Sequence, residues 1–171
     1  MSSSGRRHPN VVNVEELEPR AMSKGSRFAC TTRRLGFESG GRGIGCSWYE
    51  IQPGRTAFPA HYHCANEEAV FVLEGEGTLR VGQANVALRA GDYVTLPPGP
   101  DHAHQIVNTG SAPLRYLALS TLHTTEVVGY PDSGKIGVMA AATPEAMLKP
   151  WVREIFRQDT HVDYYEGEKT D

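Results

Sequence analysis

The sequence has little cysteine, no apolar run long enough to cross a bilayer, and no excess of basic charge. Its three cysteines, Cys30, Cys46 and Cys64, show no C-x-x-C spacing, which argues against a disulfide framework and favours a reducing compartment. A formal net charge of −3 argues against nucleic acid or an acidic membrane surface as the partner. Residues 1–10 contain an arginine pair but no apolar core of a secretory signal, so we expect a cytoplasmic protein without a membrane partner.

The sequence is rich instead in turn-forming residues, with 18 Gly and 11 Pro among 171 residues. Short apolar stretches between these turns run from residue 44 to residue 119, with no helical pattern between them. Clear examples are 69–73, 93–96 and 114–119. Seven or eight such strands predict an all-β antiparallel sandwich or barrel rather than a parallel α/β sheet.

The chain is long enough for one domain with a core and short extensions. We predict a disordered N-terminal tail over residues 1–10, a β-barrel over 11–125, and a C-terminal extension over 126–171 that packs on the barrel. The glycine-rich stretch 36–45 lacks the ending of a phosphate-binding loop and predicts a flexible hairpin.

Two segments outside the central strands also carry expectations. The stretch 11–17 is predicted to form an edge strand or to contact a partner. Residues 143–145, Thr-Pro-Glu, are of the types that begin a helix. We expect that helix to be interrupted near residues 149–150 and to resume over 151–158.

A histidine pair followed by a glutamate is the sharpest chemical feature of the sequence. His61 and His63 are two residues apart, so on a strand they project from the same face about 6–7 Å apart. A short turn follows, and Glu68 opens the next strand beside them. Two imidazoles and one carboxylate with open positions are suited to a divalent transition metal such as Fe, Mn, Zn or Ni.

These residues and their spacing resemble the first motif of the cupin superfamily, G-x5-H-x-H-x(3,4)-E-x6-G. The motif positions are filled by Gly54, His61, His63, Glu68 and Gly75. The one departure is that six residues rather than five separate Gly54 from His61. The resemblance implies a cupin-type antiparallel jelly-roll barrel (a double-stranded β-helix) with a short C-terminal helical or irregular extension.

The second cupin motif, G-x5-P-x-G-x2-H-x3-N, leaves the fourth ligand open. It is matched by Gly91, Pro97, Gly99 and His102. However, Asn108 lies two residues too far from His102, whereas His104 has the right distance from Asn108 and the wrong one from Gly99. The segment 103–108, Ala-His-Gln-Ile-Val-Asn, resembles that of a group of small bacterial cupins. The resemblance therefore favours His104 as the fourth ligand, with His102 as the alternative.

The function that this resemblance implies is broad. A site of three histidines and one glutamate could serve a dioxygenase with iron, or an isomerase of sugars or hydroxy-acids with Mn, Zn or Ni. A non-catalytic cupin that binds or senses a small molecule is the alternative. Tyr49, Phe58 and Gln105 are candidates for lining the pocket, and no residue outside the ligands is identified as catalytic. The expected partners are a small-molecule substrate and a second copy of the chain, because edge strands need covering.

Overall fold

The structure, a computed structural model, describes residues 7–143, 146 and 149–170. The strands in chain order are β1 (Arg20–Lys24), β2 (Phe28–Arg33), β3 (Ile44–Ile51), β4 (Tyr62–His63), β5 (Glu68–Glu74), β6 (Glu76–Val81), β7 (Ala84–Arg89), β8 (Tyr93–Leu96), β9 (His104–Val107), β10 (Leu114–Thr121), β11 (Thr125–Tyr130), β12 (Lys135–Ala140) and β13 (Val152–Arg157). The short helix α1 spans Leu35–Glu38, and single 3-10 turns span Val14–Glu16 and Pro100–His102. Among the described residues, no helix has the length and apolar character needed to cross a bilayer.

The strands form three antiparallel sheets. The orders are β1-β2-β3-β10-β5-β8, β7-β6-β9 and β13-β12-β11-β4. Strand β10 lies between β3 and β5, far from its neighbours in sequence, as expected when a jelly roll winds its chain back and forth across two faces. The predicted all-β, jelly-roll class is confirmed.

The segment between β3 and β4 joins the three sheets into a barrel. Thr56 bridges Phe28 of the six-stranded sheet and Val107 of the three-stranded sheet. Its buried hydroxyl donates a 2.6 Å hydrogen bond to the carbonyl of Ile106. Further along the segment, His61 bridges His104. One stretch of chain thus closes the barrel and delivers the first histidine to its mouth.

The core fills the barrel with alternate residues of its central strands. Ile51 and Leu114 are completely buried, Val70 and Val72 nearly so, and all four belong to one apolar cluster. Burying side chains of this size stabilises the fold by about 1.5–3 kcal/mol each. Glu68 shares the inward face of β5 with Val70 and Val72 because strand side chains alternate. The first residue of β5 therefore places a carboxylate at the end of the apolar core.

Asn108, the last residue of the second motif, has a structural role. Its fully buried side-chain amide donates to the carbonyls of Ile51 at 2.7 Å and Ala112 at 2.8 Å. Its oxygen accepts the N–H of Gly110 at 3.0 Å. This asparagine fixes the turn after β9, and with it the register of His104.

The C-terminal extension differs from the prediction. A resumed helix over 151–158 is wrong, because Val152–Arg157 is strand β13, paired with β12. Strand β12 would otherwise present an open edge, and a segment with β-branched Val152 and Ile155 suits that pairing. The predicted helix start at 143–145 lies partly outside the described residues. Strand β11 in turn pairs with β4, so the extension is joined to the barrel by a sheet.

The N-terminal region also differs in detail. The predicted edge strand over 11–17 is wrong, since this stretch contains the 3-10 turn Val14–Glu16. The glycine-rich stretch 36–45 is not a hairpin; most of helix α1 lies at its start. Of the predicted tail 1–10, residues 1–6 lie outside the described residues, and His8 bridges Val11. The homodimer stays a prediction.

We predict that Gly129→Ala destabilises the protein through the contact that joins β11 to β4. A Cβ at Gly129 would overlap the ring of Tyr62 on the facing strand. Overpacking of this kind costs about 1–3 kcal/mol in free energy of unfolding, which urea titration measures. Gly43→Ala is the control, because nothing lies within 4 Å of its Cβ position. A Tyr62→Ala background should remove most of the penalty, and equal stability of the two single variants would contradict the packing.

Candidate metal centre

His61 and His104 are placed opposite each other by backbone pairing. The N–H of His61 donates to the carbonyl of His104 at 3.1 Å, and the reverse bond measures 2.8 Å. Their ring centroids are 4.6 Å apart. His63, two residues beyond His61, lies with its ring centroid 5.2 Å from that of His61.

A single 3-10 turn explains why the histidine spacing departs from the cupin motif. Gly99 has a φ of 120°, a conformation that favours glycine, and Pro100–His102 then form one tight turn. This turn takes up the two additional residues before β9. His104 rather than His102 consequently enters the barrel, and it is buried whereas His102 is only half-buried.

Glu68 lies at the centre of the histidines. The donor atoms of His61, Glu68 and His104 all lie within 4.8 Å of one another. Glu68 Oε2 is 3.2 Å from His104 Nε2 and 3.4 Å from His63 Nε2. His63 is outside the tightest group and joins it through this carboxylate. The structure thus brings together the four side chains that the sequence singled out, and it leaves out His102.

The second ring nitrogens of His61 and His104 are held by backbone carbonyls. His61 Nδ1 lies 2.9 Å from the carbonyl oxygen of Pro59, and His104 Nδ1 lies 3.0 Å from that of His102. A carbonyl accepts only, so Nδ1 carries a proton in both rings and Nε2 is the ring nitrogen that faces the cluster. Imidazoles fixed in this way are typical of metal ligands. The donor set fits a divalent transition metal.

Sequence reasoning missed Glu126, whose carboxylate lies beside the second ring nitrogen of His63. Its Oε2 lies 3.3 Å from His63 Nδ1, although the two atoms do not form a well-aligned hydrogen bond. The completely buried carboxylate accepts the N–H groups of residues 64, 65, 66 and 127 at 2.8–3.0 Å. Burial alone would raise the pKa of Glu126, but these N–H donors and His63 lower it, so the group is ionised.

The charge states of the cluster suit metal binding. Burial, followed by the nearby His104, lowers the pKa of His61 from 6.5 to about 4, which keeps this imidazole neutral at neutral pH. Burial would raise the pKa of Glu68, but the hydrogen bond with His104 and the charges of the histidines lower it overall. Neutral imidazole and ionised carboxylate are the forms that bind a metal ion.

A small, largely apolar cavity of about 80 Å³ adjoins the cluster. Tyr49, Phe58 and Gln105, the three residues that the sequence proposed as lining, all contribute to it. The ring of Tyr49 stacks on Tyr116 at 5.3 Å and meets Phe58 edge-on at 5.7 Å. The Gln105 amide donates to the carbonyl of Phe58 at 2.7 Å and accepts from Arg27 at 3.2 Å.

Tyr130 is a second residue that the sequence did not single out. It lies at the end of β11, with its ring centroid 6.3 Å from that of His61. The turn that follows is tied to the barrel by Asp132 and Arg80, which form a two-pronged ion pair at 2.7 and 2.8 Å. The segment 130–135 does resemble a stretch of a group of small bacterial cupins, and alternation places residues 126, 128 and 130 on one face of a strand.

The comparison with known proteins agrees with the fold. A family model described as a cupin domain matches residues 47–120, which include His61, His63, Glu68 and His104. Those residues form the jelly-roll strands that hold the cluster. The chain therefore contains a cupin domain over residues 47–120. Glu126 and Tyr130 lie beyond the matched residues, although both side chains lie against the histidines of this cupin.

Three similar proteins indicate the range of the superfamily. Polyketide synthase CurC from Streptomyces cyaneus is 28% identical over 148 residues, with 85% of this chain and 89% of that protein aligned. A sugar phosphate isomerase of the cupin superfamily from Silicibacter pomeroyi superposes with a TM-score of 0.74 and 25% identity, covering 88% of this chain and 94% of that one. Quercetin 2,3-dioxygenase from Bacillus subtilis is 29% identical over 44% of this chain, but only 23% of the enzyme is matched.

We predict that His104→Ala lowers the metal content of the protein and His102→Ala does not. His104 Nε2 is part of the cluster, whereas His102 contributes its backbone carbonyl. Loss of a ligand should weaken metal affinity by at least about tenfold, since loss of a supporting residue alone costs 10–100-fold. Elemental analysis of gently purified protein measures the effect. Metal retained in His104→Ala and lost in His102→Ala would reverse the assignment.

We also predict that the metal-free protein loses stability as the pH falls from 6.5 towards 4. The folded pKa of His61 lies below its unfolded value, so protons favour the unfolded chain throughout this window. The lowered pKa of Glu68 also reduces the stability of the folded protein as the pH falls, in the acid part of this window. The contribution of His61 is at most about 3 kcal/mol. Urea titrations with chelator should show a shallower pH dependence in His61→Gln, with exposed His161→Gln as the control.

Proposed function

We propose that this cupin is a metal-dependent isomerase of a small hydroxy-carbonyl compound, such as a sugar or hydroxy-acid. The observation that carries the proposal is the convergence of His61, His104 and His63 on Glu68 beside a small cavity. A divalent Fe, Mn, Zn or Ni ion bound there would polarise the carbonyl and hydroxyl oxygens of the substrate. The four side chains would hold that ion, and one carboxylate would leave its charge only partly neutralised.

Glu68 is the best-placed group to move the proton. Isomerisation of a hydroxy-carbonyl transfers a proton between neighbouring carbons and a proton between oxygens, so it needs no oxidant. Glu68 is the one carboxylate among the described residues that line the cavity. Its Oε2 approaches two histidines, which leaves Oε1 to accept the proton and return it. Burial raises the pKa of Tyr49, so its hydroxyl stays protonated and can donate a hydrogen bond to a substrate oxygen.

The size of the cavity favours a small substrate over a polycyclic one. A space of about 80 Å³ is far below the roughly 300–1,000 Å³ of sites for drug-sized ligands. The likeness to the Silicibacter pomeroyi sugar phosphate isomerase supports the same choice, since it extends over 88% of this chain and therefore beyond the residues that the cupin model matches.

A second candidate is a dioxygenase that acts on an aromatic compound. The rings of Tyr49, Phe58 and Tyr116 form an aromatic wall suited to stacking. The likeness to quercetin 2,3-dioxygenase supports this alternative. It requires the cavity to widen when the substrate enters.

We predict that the metal-loaded protein exchanges a carbon-bound proton of its substrate with solvent. A panel of small sugars and hydroxy-acids in D₂O, followed by NMR, detects deuterium at the carbon beside the carbonyl. Glu68→Gln should reduce the exchange by about 10²–10⁴-fold, and His102→Gln should leave it intact. Oxygen consumption by the iron-loaded protein without exchange would favour the dioxygenase. Ligand binding with neither reaction would favour a non-catalytic binding module.

A further inference from the structure

The hairpin of β11 and β12 turns one face toward the metal centre. His63 of β4 is the direct partner of Val128 on β11, so these two residues share a face of the sheet. Glu126 and Tyr130 alternate onto that same face, and both side chains lie against histidines of the cluster. The face that carries them is therefore the outer wall of the site.

Basic side chains occupy this face on the two strands beyond β11. Lys135 is the direct partner of Tyr130, and Arg157 is the partner of Lys135. Arg153 is the partner of Met139, which in turn pairs with Glu126. Because direct partners in antiparallel strands project on the same side, all three cations belong to the face that bears Tyr130.

Tyr130 brings these cations close to the cluster. The Lys135 ammonium lies 5.3 Å from the centre of the Tyr130 ring, which is itself 6.3 Å from the ring of His61. Burial raises the pKa of Tyr130, and the nearby charge of Arg153 partly offsets the rise. One aromatic ring therefore separates the histidines from the basic groups.

Among the residues that the structure describes, no acid on this face neutralises the cations. Within the described part of the chain, Lys135, Arg153 and Arg157 form no ion pair with a carboxylate. The nearby acids either have other hydrogen-bonding partners or lie on the opposite face of the sheet. Glu126 is held by backbone N–H groups, Asp132 is paired with Arg80, and Glu154 alternates to the opposite face of β13. Uncompensated positive charge beside a metal centre indicates a site for an anionic part of the substrate.

We propose that Lys135 and Arg153, which share one sheet face with Tyr130, bind the phosphate group of a phosphorylated substrate whose hydroxy-carbonyl end lies at the His61–Glu68–His104 cluster. This inference rests on the proposed function for the reacting end of the substrate. Arginine and lysine form charge-assisted hydrogen bonds with phosphate oxygens, and the Tyr130 hydroxyl adds a neutral donor. Arg157, opposite Lys135, adds to the field.

The Arg80–Asp132 pair would keep this subsite in position. It ties the turn between β11 and β12 to strand β6, at the end of the hairpin that carries Tyr130 and Lys135. At the other end, β11 is paired with β4 next to His63. The basic groups and the metal ligands are thereby held on one rigid unit. A substrate that is bound at both of its ends requires such a fixed spacing between the two binding points.

The binding of inorganic phosphate to the full chain tests the inference without requiring activity. Calorimetric titration is carried out on the metal-loaded protein and after chelation, on wild type and on Lys135→Gln/Arg153→Gln. Loss of both cations should weaken phosphate binding by about tenfold or more, and the wild-type affinity should fall as salt is added. Lys24→Gln/Arg89→Gln removes the same charge from exposed positions on β1 and β7 and should bind phosphate like wild type. If the double variant is unstable, phosphate binding is measured on Arg153→Gln alone, which changes an exposed side chain and should also weaken the binding.

The outcomes separate this inference from the proposed function. Glu68→Gln should strongly reduce proton exchange yet retain phosphate binding after chelation. Lys135→Gln/Arg153→Gln should retain its metal and raise KM only for phosphorylated sugars. Equal phosphate affinity in wild type and the double variant, or no binding to either at millimolar concentration, would overturn the subsite. Malonate binding as tightly as phosphate would overturn the choice of phosphate as the anion.

Discussion

The buried carboxylate of Glu126 is the contact on which the geometry of this site depends. It accepts four backbone N–H groups, three of them from the turn that separates His63 from Glu68, and it lies 3.3 Å from the imidazole of His63. A completely buried charge is tolerated only when its hydrogen-bonding capacity is filled, and here the turn fills it. The same contact holds β11 against β4. One side chain therefore holds the turn, places a negative charge beside a histidine of the cluster, and docks the C-terminal sheet.

Two parts of the chain with different character meet at the cluster. The barrel supplies His61, Glu68 and His104 together with an apolar, aromatic cavity, and the hairpin of β11 and β12 supplies the outer wall. The barrel side suits the reacting end of a small molecule held on a metal. The hairpin side carries cations that suit an anionic end. The C-terminal sheet is therefore part of the site as well as part of the fold.

The local patterns of the sequence predicted the barrel strands, and they singled out His61, His63 and Glu68, which the structure brings together. Alternation over residues 44–119 and the two-residue spacing of His61 and His63 are properties of a single strand, so they can be read without knowing its neighbours. The choice between His102 and His104 was harder, because it depends on a single 3-10 turn after Gly99. The sequence pattern of strand β13 is too short to distinguish a strand from a helix. Pairing with β12, which is a tertiary contact, decides that the segment is a strand.

The sequence by itself determined the superfamily, the position of the cluster and the chemical type of its ligands, because motif spacing and strand periodicity are local. Tertiary structure alone decided that Glu126 lies behind His63, that Tyr130 faces His61, and that Lys135 and Arg153 share that wall. Glu126 lies 63 positions from His63 in the sequence, and Tyr130 lies 69 positions from His61. Contacts between such distant residues depend on strand register. A shift of register by one residue would turn each of these side chains to the opposite face.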